Sequence, residues 1–146
     1  MMRYVSLLIL AISMIVTSAT FAQDTREQVD FPPMMQEHMM ANMRDHLLAI
    51  QTITQQLSLH QFDAAADTAE HRLGMSAMDT HGSSHMGKLM PKEMAVIGTN
   101  MHHAASRFAL AAKDAEIDGG LEKTFGALSE VMQQCVACHT GYKIHK

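Results

Sequence analysis

The residues between 90 and 142 carry the pattern that most constrains the fold. Apolar side chains recur there at steps of four and three residues, a spacing that places them on one side of an α-helix. Asp118, Gly119 and Gly120 interrupt the pattern, so it divides into two helices. The apolar seam of the first is Met90, Met94, Ile97, Met101, Ala104, Phe108 and Ala111, and that of the second is Leu121, Phe125, Leu128, Met132, Cys135, His139 and Tyr142.

Two further helices are predicted upstream of these seams. The first begins at Pro33 and extends to about Leu59, and the second begins near Phe62 and ends before Gly74, a residue typical of helix C-termini. No segment alternates as a strand does. Seven-residue seams favour packing at about 20°, so the sequence predicts an all-α, antiparallel four-helix bundle. The buried stripes expected on the first helix are Met39, Met43, Ile50, Ile53 and Leu57, and beside them Met40, Met43, Leu47 and Ile50.

The first 22 residues have the layout of a secretory signal peptide. Arg3 precedes an apolar run over residues 5–16, and the small residue Ala22 lies where cleavage is expected. The alternative is an uncleaved membrane anchor, for which the run is short. The domain prediction is a signal peptide at 1–22, a flexible segment from Gln23 to Pro32, and one helical domain at 33–146.

Charge and hydropathy exclude several classes of partner. The net charge is −4 at pH 7, and no basic patch suggests a nucleic-acid surface. No second apolar stretch is long enough to cross a bilayer, so no membrane span is expected in the mature chain. The sequence shows no arrangement typical of a hydrolase or transferase, and we expect the protein not to be an enzyme.

The two cysteines of the chain lie in one motif, Cys135-Val136-Ala137-Cys138-His139. Residues three apart share a helix face, so both thiols can add to the two vinyl groups of one haem, with His139 as the proximal iron ligand. A thioredoxin-like motif would instead follow a strand, a zinc site would need two more ligands, and a disulfide leaves the histidine unexplained. The motif therefore predicts one covalent haem c, attached outside the cytoplasm.

The position of this motif, seven residues from the C-terminus, resembles the class II cytochromes c, the cytochrome c-prime family. The similar residues are Phe125-Gly126-Ala127-Leu128, Cys135 to His139 with Tyr142-Lys143 behind them, and Phe62-Asp63-Ala64-Ala65 at the second helix. The resemblance implies a four-helix bundle with haem on its last helix, and electron exchange with periplasmic redox proteins. It also implies a basic residue, Lys143, near the haem edge. Members often form dimers through the first helix, so a homodimer is one expectation.

In that family the first helix presents one side chain to the far face of the haem. Counting back from Phe62 places this position between Asn42 and Arg44, where Met43 is the thioether. A Met/His pair raises the reduction potential and suits a single-electron carrier. Three alternatives stay open. Met43 is core filler, or the ligand is Met39, Met40 or His46, or the position is open and the five-coordinate haem binds nitric oxide or carbon monoxide.

Methionine and histidine are also concentrated in residues 74–90, a predicted loop rich in glycine and serine. Thioethers and imidazoles are ligands that suit copper. The composition therefore raises a different class of function, a periplasmic copper-binding protein, as an alternative to the cytochrome. Its candidate ligands are Met75, Met78, His81, His85, Met86 and Met90 in the loop, with His102 and His103 in the next helix.

Overall fold

The computed structural model describes residues 23–144 of the chain, so the expected signal peptide at 1–22 lies outside the described residues. Within that range the chain is mostly helical, which confirms the all-α class. The elements are β1 (Glu27–Val29), α1 (Pro33–Ser58), α2 (Phe62–Arg72), a 3-10 turn (Met75–Ala77), α3 (Ser83–Met86), α4 (Lys92–Asp118), α5 (Leu121–Gly141) and β2 (Tyr142–Ile144).

Prolines and glycines set the helix ends much as the sequence predicts. Pro33 is the first residue of α1, and Pro91 immediately precedes α4. Helix α4 ends at Gly119, whose φ of 71° is a left-handed conformation that glycine adopts without a steric penalty. The predicted bounds of α1, α2, α4 and α5 are confirmed to within a residue or two. Residues 74–90 were expected to be a loop, but they also contain the 3-10 turn and α3.

Helix α4 is the centre of the packing. It contacts α2 and α5, while α1 packs against α2. Small side chains on α4 allow its neighbours to approach closely, and Phe108 fills the space between them with no exposed surface. The main core cluster is Ala49, Ile53, Leu57, Phe62, Ala65, Ala66, Ala69, Leu73, Met101, Ala104, Ala105, Phe108, Ala109, Ala112, Ala115, Leu128 and Val131.

A second apolar cluster forms where the chain ends meet, and we call it the methionine cluster. Its buried members are Val29, Phe31, Met39, Met86 and Met94, with Met35, Met43, Met90, Cys138, Tyr142 and Ile144 packed against them.

The segment from Gln23 to Pro32, expected to be flexible, is ordered at this cluster. Strand β1 pairs in parallel with β2, so that Val29 lies opposite Ile144. Val29 and Phe31 are buried, and the removal of their apolar surface from water holds this segment against the rest of the protein. Three-residue strands are too short to show an alternating pattern, which is why the sequence did not indicate them. Tyr142, expected in the last helix, is the first residue of β2.

The predicted seams are wrong at several positions. Phe125 and Met132, placed in the buried seam of α5, are 48% and 47% exposed. Leu128 of that seam is buried as predicted, and it is accompanied in the core by Thr124 and Val131, which the seam did not include. The reason is that α5 packs mainly on one neighbour, α4, so a narrower stripe is buried than the sequence pattern offers. On α1, Met40 and Leu47 are likewise exposed.

No helix within residues 23–144 combines the length and the hydropathy needed to cross a membrane.

Phe108→Ala tests the central role of α4. Truncating this fully buried ring leaves a cavity among α2, α4 and α5, so the free energy of unfolding should fall by about 3–5 kcal/mol. Urea unfolding followed by circular dichroism measures the loss. The matched control is Leu110→Ala on the same helix, where the side chain is 66% exposed and the change should stay within about 0.5 kcal/mol. Equal losses in the two variants would contradict this packing.

Candidate functional site

The last turns of α5 present Cys135, Cys138 and His139. Both cysteines are free thiols and half-buried, and the Cys135 thiol points back to the Val131 carbonyl oxygen at 3.7 Å. Burial raises the pKa of both thiols, and for Cys138 the nearby Cys135 adds to this effect. At neutral pH the two sulfurs are therefore protonated, and the chain offers them as a neutral pair on one helix.

Cys138 packs against the methionine cluster, and so does Met43 from α1. Residues from the first and the last of the long helices thus share one apolar environment. Met39 is a buried member of the same cluster, whereas Met40 faces solvent. Of the thioether ligands suggested by the sequence, the structure brings Met43 and Met39 to the cysteine end of α5 and leaves Met40 out.

An uncovered apolar face runs along α5 next to the cysteines. Phe125, Met132 and Val136 are exposed, Val136 by 61%. Met132, Val136 and His139 follow at steps of four and three, so they share one side of the helix. A shallow groove on this face is lined by Phe125, Leu128, Ser129, Met132, Gln133 and Val136. His139 is itself exposed, and its carbonyl oxygen accepts a hydrogen bond from Arg26 at 3.4 Å.

Three histidines from separate parts of the chain meet about one helical turn beyond Met43 of α1, and we call them the histidine cluster. His46 of α1 lies 3.4 Å, Nε2 to Nδ1, from His81 of the 74–90 segment. The His81 ring centroid is 4.8 Å from that of His46 and 5.4 Å from that of His102 in α4. His81 and His102 are only 8% and 6% exposed. His46, considered from sequence as an iron ligand, therefore lies with imidazoles rather than with Cys138.

Hydrogen bonds anchor the His81 backbone and the Nδ1 atom of His102. The His81 carbonyl oxygen accepts hydrogen bonds from Asn42 Nδ2 at 3.2 Å and from His38 Nε2 at 3.0 Å. Gly82 follows in a left-handed conformation, and a Cβ there would lie 3.3 Å from His38 Nε2. His102 Nδ1 lies 2.7 Å from the Leu73 carbonyl oxygen. Because a carbonyl only accepts, Nδ1 carries the proton in this bond.

The surroundings of His46 and His81 favour their neutral forms. Burial, together with His81 and His102, lowers the pKa of His46 to about 4. The pKa of His81 is also lowered, chiefly by burial and by His102. Asp45 opposes both shifts, but its carboxylate is paired with Arg72, whose guanidinium lowers the pKa of Asp45. At neutral pH the imidazoles of His46 and His81 are therefore uncharged.

The structure separates the ligand types that the copper alternative combined. Met86 and Met90 of the loop join the methionine cluster, whereas His81 and His102 join the histidine cluster. His85 and His103 are exposed. Between residues 23 and 144, no three His, Cys, Asp or Glu side chains already stand in the arrangement of a metal site.

The histidine cluster is the feature that sequence reasoning missed. His46, His81 and His102 lie in three segments, and no local spacing connects them. The sequence did name His81 and His102 as candidate copper ligands. For His46, the signal was its helical spacing from Met39 and Met43, which places it among the buried positions of α1.

Comparisons with models of protein families, with curated proteins and with solved structures give no match for this chain.

The depressed pKa of His46 predicts acid sensitivity. The unfolded histidine titrates near 6.5 and the folded one near 4, so on acidification the unfolded chain binds this proton first. The stability from His46 is thus complete above about pH 6.5 and is lost as the pH falls towards 4, by about 3 kcal/mol. Urea unfolding at several pH values in EDTA measures it. His46→Gln should flatten this slope, whereas the control His103→Gln should not. An unchanged slope in His46→Gln would refute the assignment.

Proposed function

We propose that this chain is a periplasmic c-type cytochrome that carries one covalent haem c and transfers single electrons. The observation that carries the proposal is the set of Cys135, Cys138 and His139 at the end of α5, where two free thiols and an accessible imidazole occupy consecutive turns. The two thiols would hold the group through thioether bonds, and His139 would bind its iron from the proximal side.

The residues around the motif fit a large apolar group. Cys138 borders the methionine cluster, and the exposed face bearing Phe125, Met132 and Val136 continues from His139. A face of this kind on a small protein marks a binding surface. The thiols are free and not joined in a disulfide, which addition to the vinyl groups of a haem requires. The chain has no tryptophan and few other aromatics, so a porphyrin would add bulk that the side chains lack.

The proposed architecture is an antiparallel four-helix bundle formed by α1, α2, α4 and α5. Its support is the connections: residues 59–61 join α1 to α2, and Gly119 and Gly120 join α4 to α5. Links this short make consecutive helices antiparallel neighbours. Such a bundle with the motif on its last helix is the arrangement of the class II cytochromes c, and membership of that family is part of the proposal.

Bound haem supplies a one-electron iron couple, and the chain sets its environment. Met43 is the residue we assign to the sixth iron position, because it reaches the methionine cluster from α1 and so shares the surroundings of Cys138. Thioether ligation together with His139 raises a reduction potential. The apolar side chains around Met43 would keep water away from the iron on the Met43 side. Holding the haem and exchanging one electron require neither proton transfer nor a nucleophile, so the proposed function is that of a carrier rather than an enzyme.

The cellular setting follows from the motif and from the N-terminal sequence. Haem attachment to a C-x-x-C-H motif takes place outside the cytoplasm, and residues 1–22 have the pattern of an export signal. The partners we propose are periplasmic redox proteins. Electron exchange is expected at the His139 end of α5, where Arg26 donates a hydrogen bond to the His139 carbonyl oxygen and Lys143 lies close to Asp24.

Absorption spectra of the protein matured with haem-attachment machinery test the sixth position. We expect a low-spin spectrum with the weak far-red sulfur-to-iron band of Met ligation, which Met43→Ala should abolish. Met40→Ala, three residues away and exposed, is the matched control and should keep the band. Loss of the band in Met39→Ala alone would move the ligand to Met39. A high-spin spectrum that shifts with carbon monoxide would contradict Met ligation and would indicate an open, gas-binding site.

A further inference from the structure

The histidine cluster holds a feature that a haem protein does not require. Two imidazole nitrogens, His46 Nε2 and His81 Nδ1, lie 3.4 Å apart. A tetrahedral ion bound at about 2.0–2.1 Å to each of two imidazoles separates their nitrogens by nearly this distance. The pair is therefore already spaced as two ligands of one ion, although its members are 35 residues apart in the chain.

His102 is the third imidazole of the cluster, and its hydrogen bonding resembles that of a metal ligand. Within the described part of the chain, both hydrogen bonds of its ring are made by Nδ1, to the carbonyl oxygens of Leu73 and Gly74 at 2.7 and 3.2 Å. Metal-ligating histidines generally donate one ring N–H to a carbonyl in this way, which leaves the other nitrogen with its lone pair. In His102 that nitrogen is Nε2.

The backbone around His81 is built to hold its ring in place. Asn42 and His38, both on α1, donate hydrogen bonds to the His81 carbonyl oxygen. Gly82 permits the turn that follows, because its φ of 63° is a conformation that other residues rarely adopt, and a Cβ there would crowd the His38 ring at 3.3 Å. His38 and Asn42, through hydrogen bonds, and Gly82, through its backbone conformation, thus hold His81 in its buried position.

From these observations we infer that His46, His81 and His102 bind a borderline divalent cation of the zinc and copper(II) class. All three ligands are imidazoles, which suit such ions, whereas copper(I) favours the thioethers that the structure collects elsewhere, in the methionine cluster. His102 must turn for its Nε2 to join the other two nitrogens, since the described side chains do not yet enclose a site. The bound ion would fasten the 74–90 segment to α1 and α4.

Neighbouring charges permit a dication at this position. The groups that act on the two closest imidazoles are Asp45, Arg72 and His38. Asp45 favours positive charge in the cluster, while Arg72 opposes it but is itself neutralised by its ion pair with Asp45. His46 and His81, whose pKa values are lowered by burial, are uncharged near neutral pH, which is the form that binds metal ions.

The test is a titration of the EDTA-treated, matured protein with zinc chloride, followed by calorimetry. We expect one ion per chain and a rise in melting temperature, because zinc binds the folded form. His81→Ala is the sharpest variant, because its hydrogen bonds to α1 come from the backbone and survive the change. It and His46→Gln should weaken zinc binding at least about 100-fold. The matched controls His85→Ala and His103→Ala remove exposed imidazoles and should bind as the parent does.

In any chain that lacks haem, the thiols are a competing zinc site. Cobalt(II) distinguishes binding at the thiols from binding at the histidine cluster. Binding to imidazoles gives visible bands without the intense near-ultraviolet absorption of cobalt–thiolate bonds, and it should persist in the Cys135→Ser/Cys138→Ser double variant. The inference is therefore independent of haem attachment. It is overturned if the parent binds no stoichiometric zinc, if His81→Ala and His46→Gln bind as tightly as the parent, or if binding is lost equally in the controls.

Discussion

The close packing of α4 against α2 and α5 is the constraint on which the rest of the structure depends. Alanines at 104, 105, 109, 112 and 115 let both neighbours approach, and Phe108 fills the space between them. With this contact in place, Met94 near the start of α4 and His102 eight residues further along the same helix are held at fixed positions. Each then contributes to a different cluster.

Two chemically distinct environments result from one set of helices. Helix α1 contributes Met39 and Met43 to the methionine cluster and His46 to the histidine cluster. The 74–90 segment does the same with Met86 and His81. Methionine and histidine residues that are interleaved along the sequence are thus sorted in space. The thioethers accompany the cysteines, where a haem would need apolar, high-potential surroundings, and the imidazoles are brought together where they suit a harder cation.

Much of the secondary structure could be read from the sequence, because proline, glycine and helical spacing act locally. The bounds of α1, α2, α4 and α5 follow from these signals. Burial along each helix was harder to predict, since it depends on how many neighbours the helix has: Phe125 and Met132 fit the apolar pattern of α5 yet face solvent. The pairing of β1 with β2, and the meeting of His46, His81 and His102, join residues far apart in the chain, so no local pattern announces them. Cys135, Cys138 and His139 could be proposed as a site from the sequence alone, because the motif is contained in five consecutive residues.

The central claim is that Cys135 and Cys138 carry a haem through covalent bonds. Its most direct test is the intact mass of the exported protein after denaturation and acid–acetone extraction, steps that remove any haem not covalently attached. The account predicts a chain heavier by one haem, with the added mass on the peptide from 135 to 139, and no added mass in the Cys135→Ser/Cys138→Ser variant. An exported chain with the mass of its amino acids alone, produced beside a control cytochrome that is fully loaded, would contradict the account.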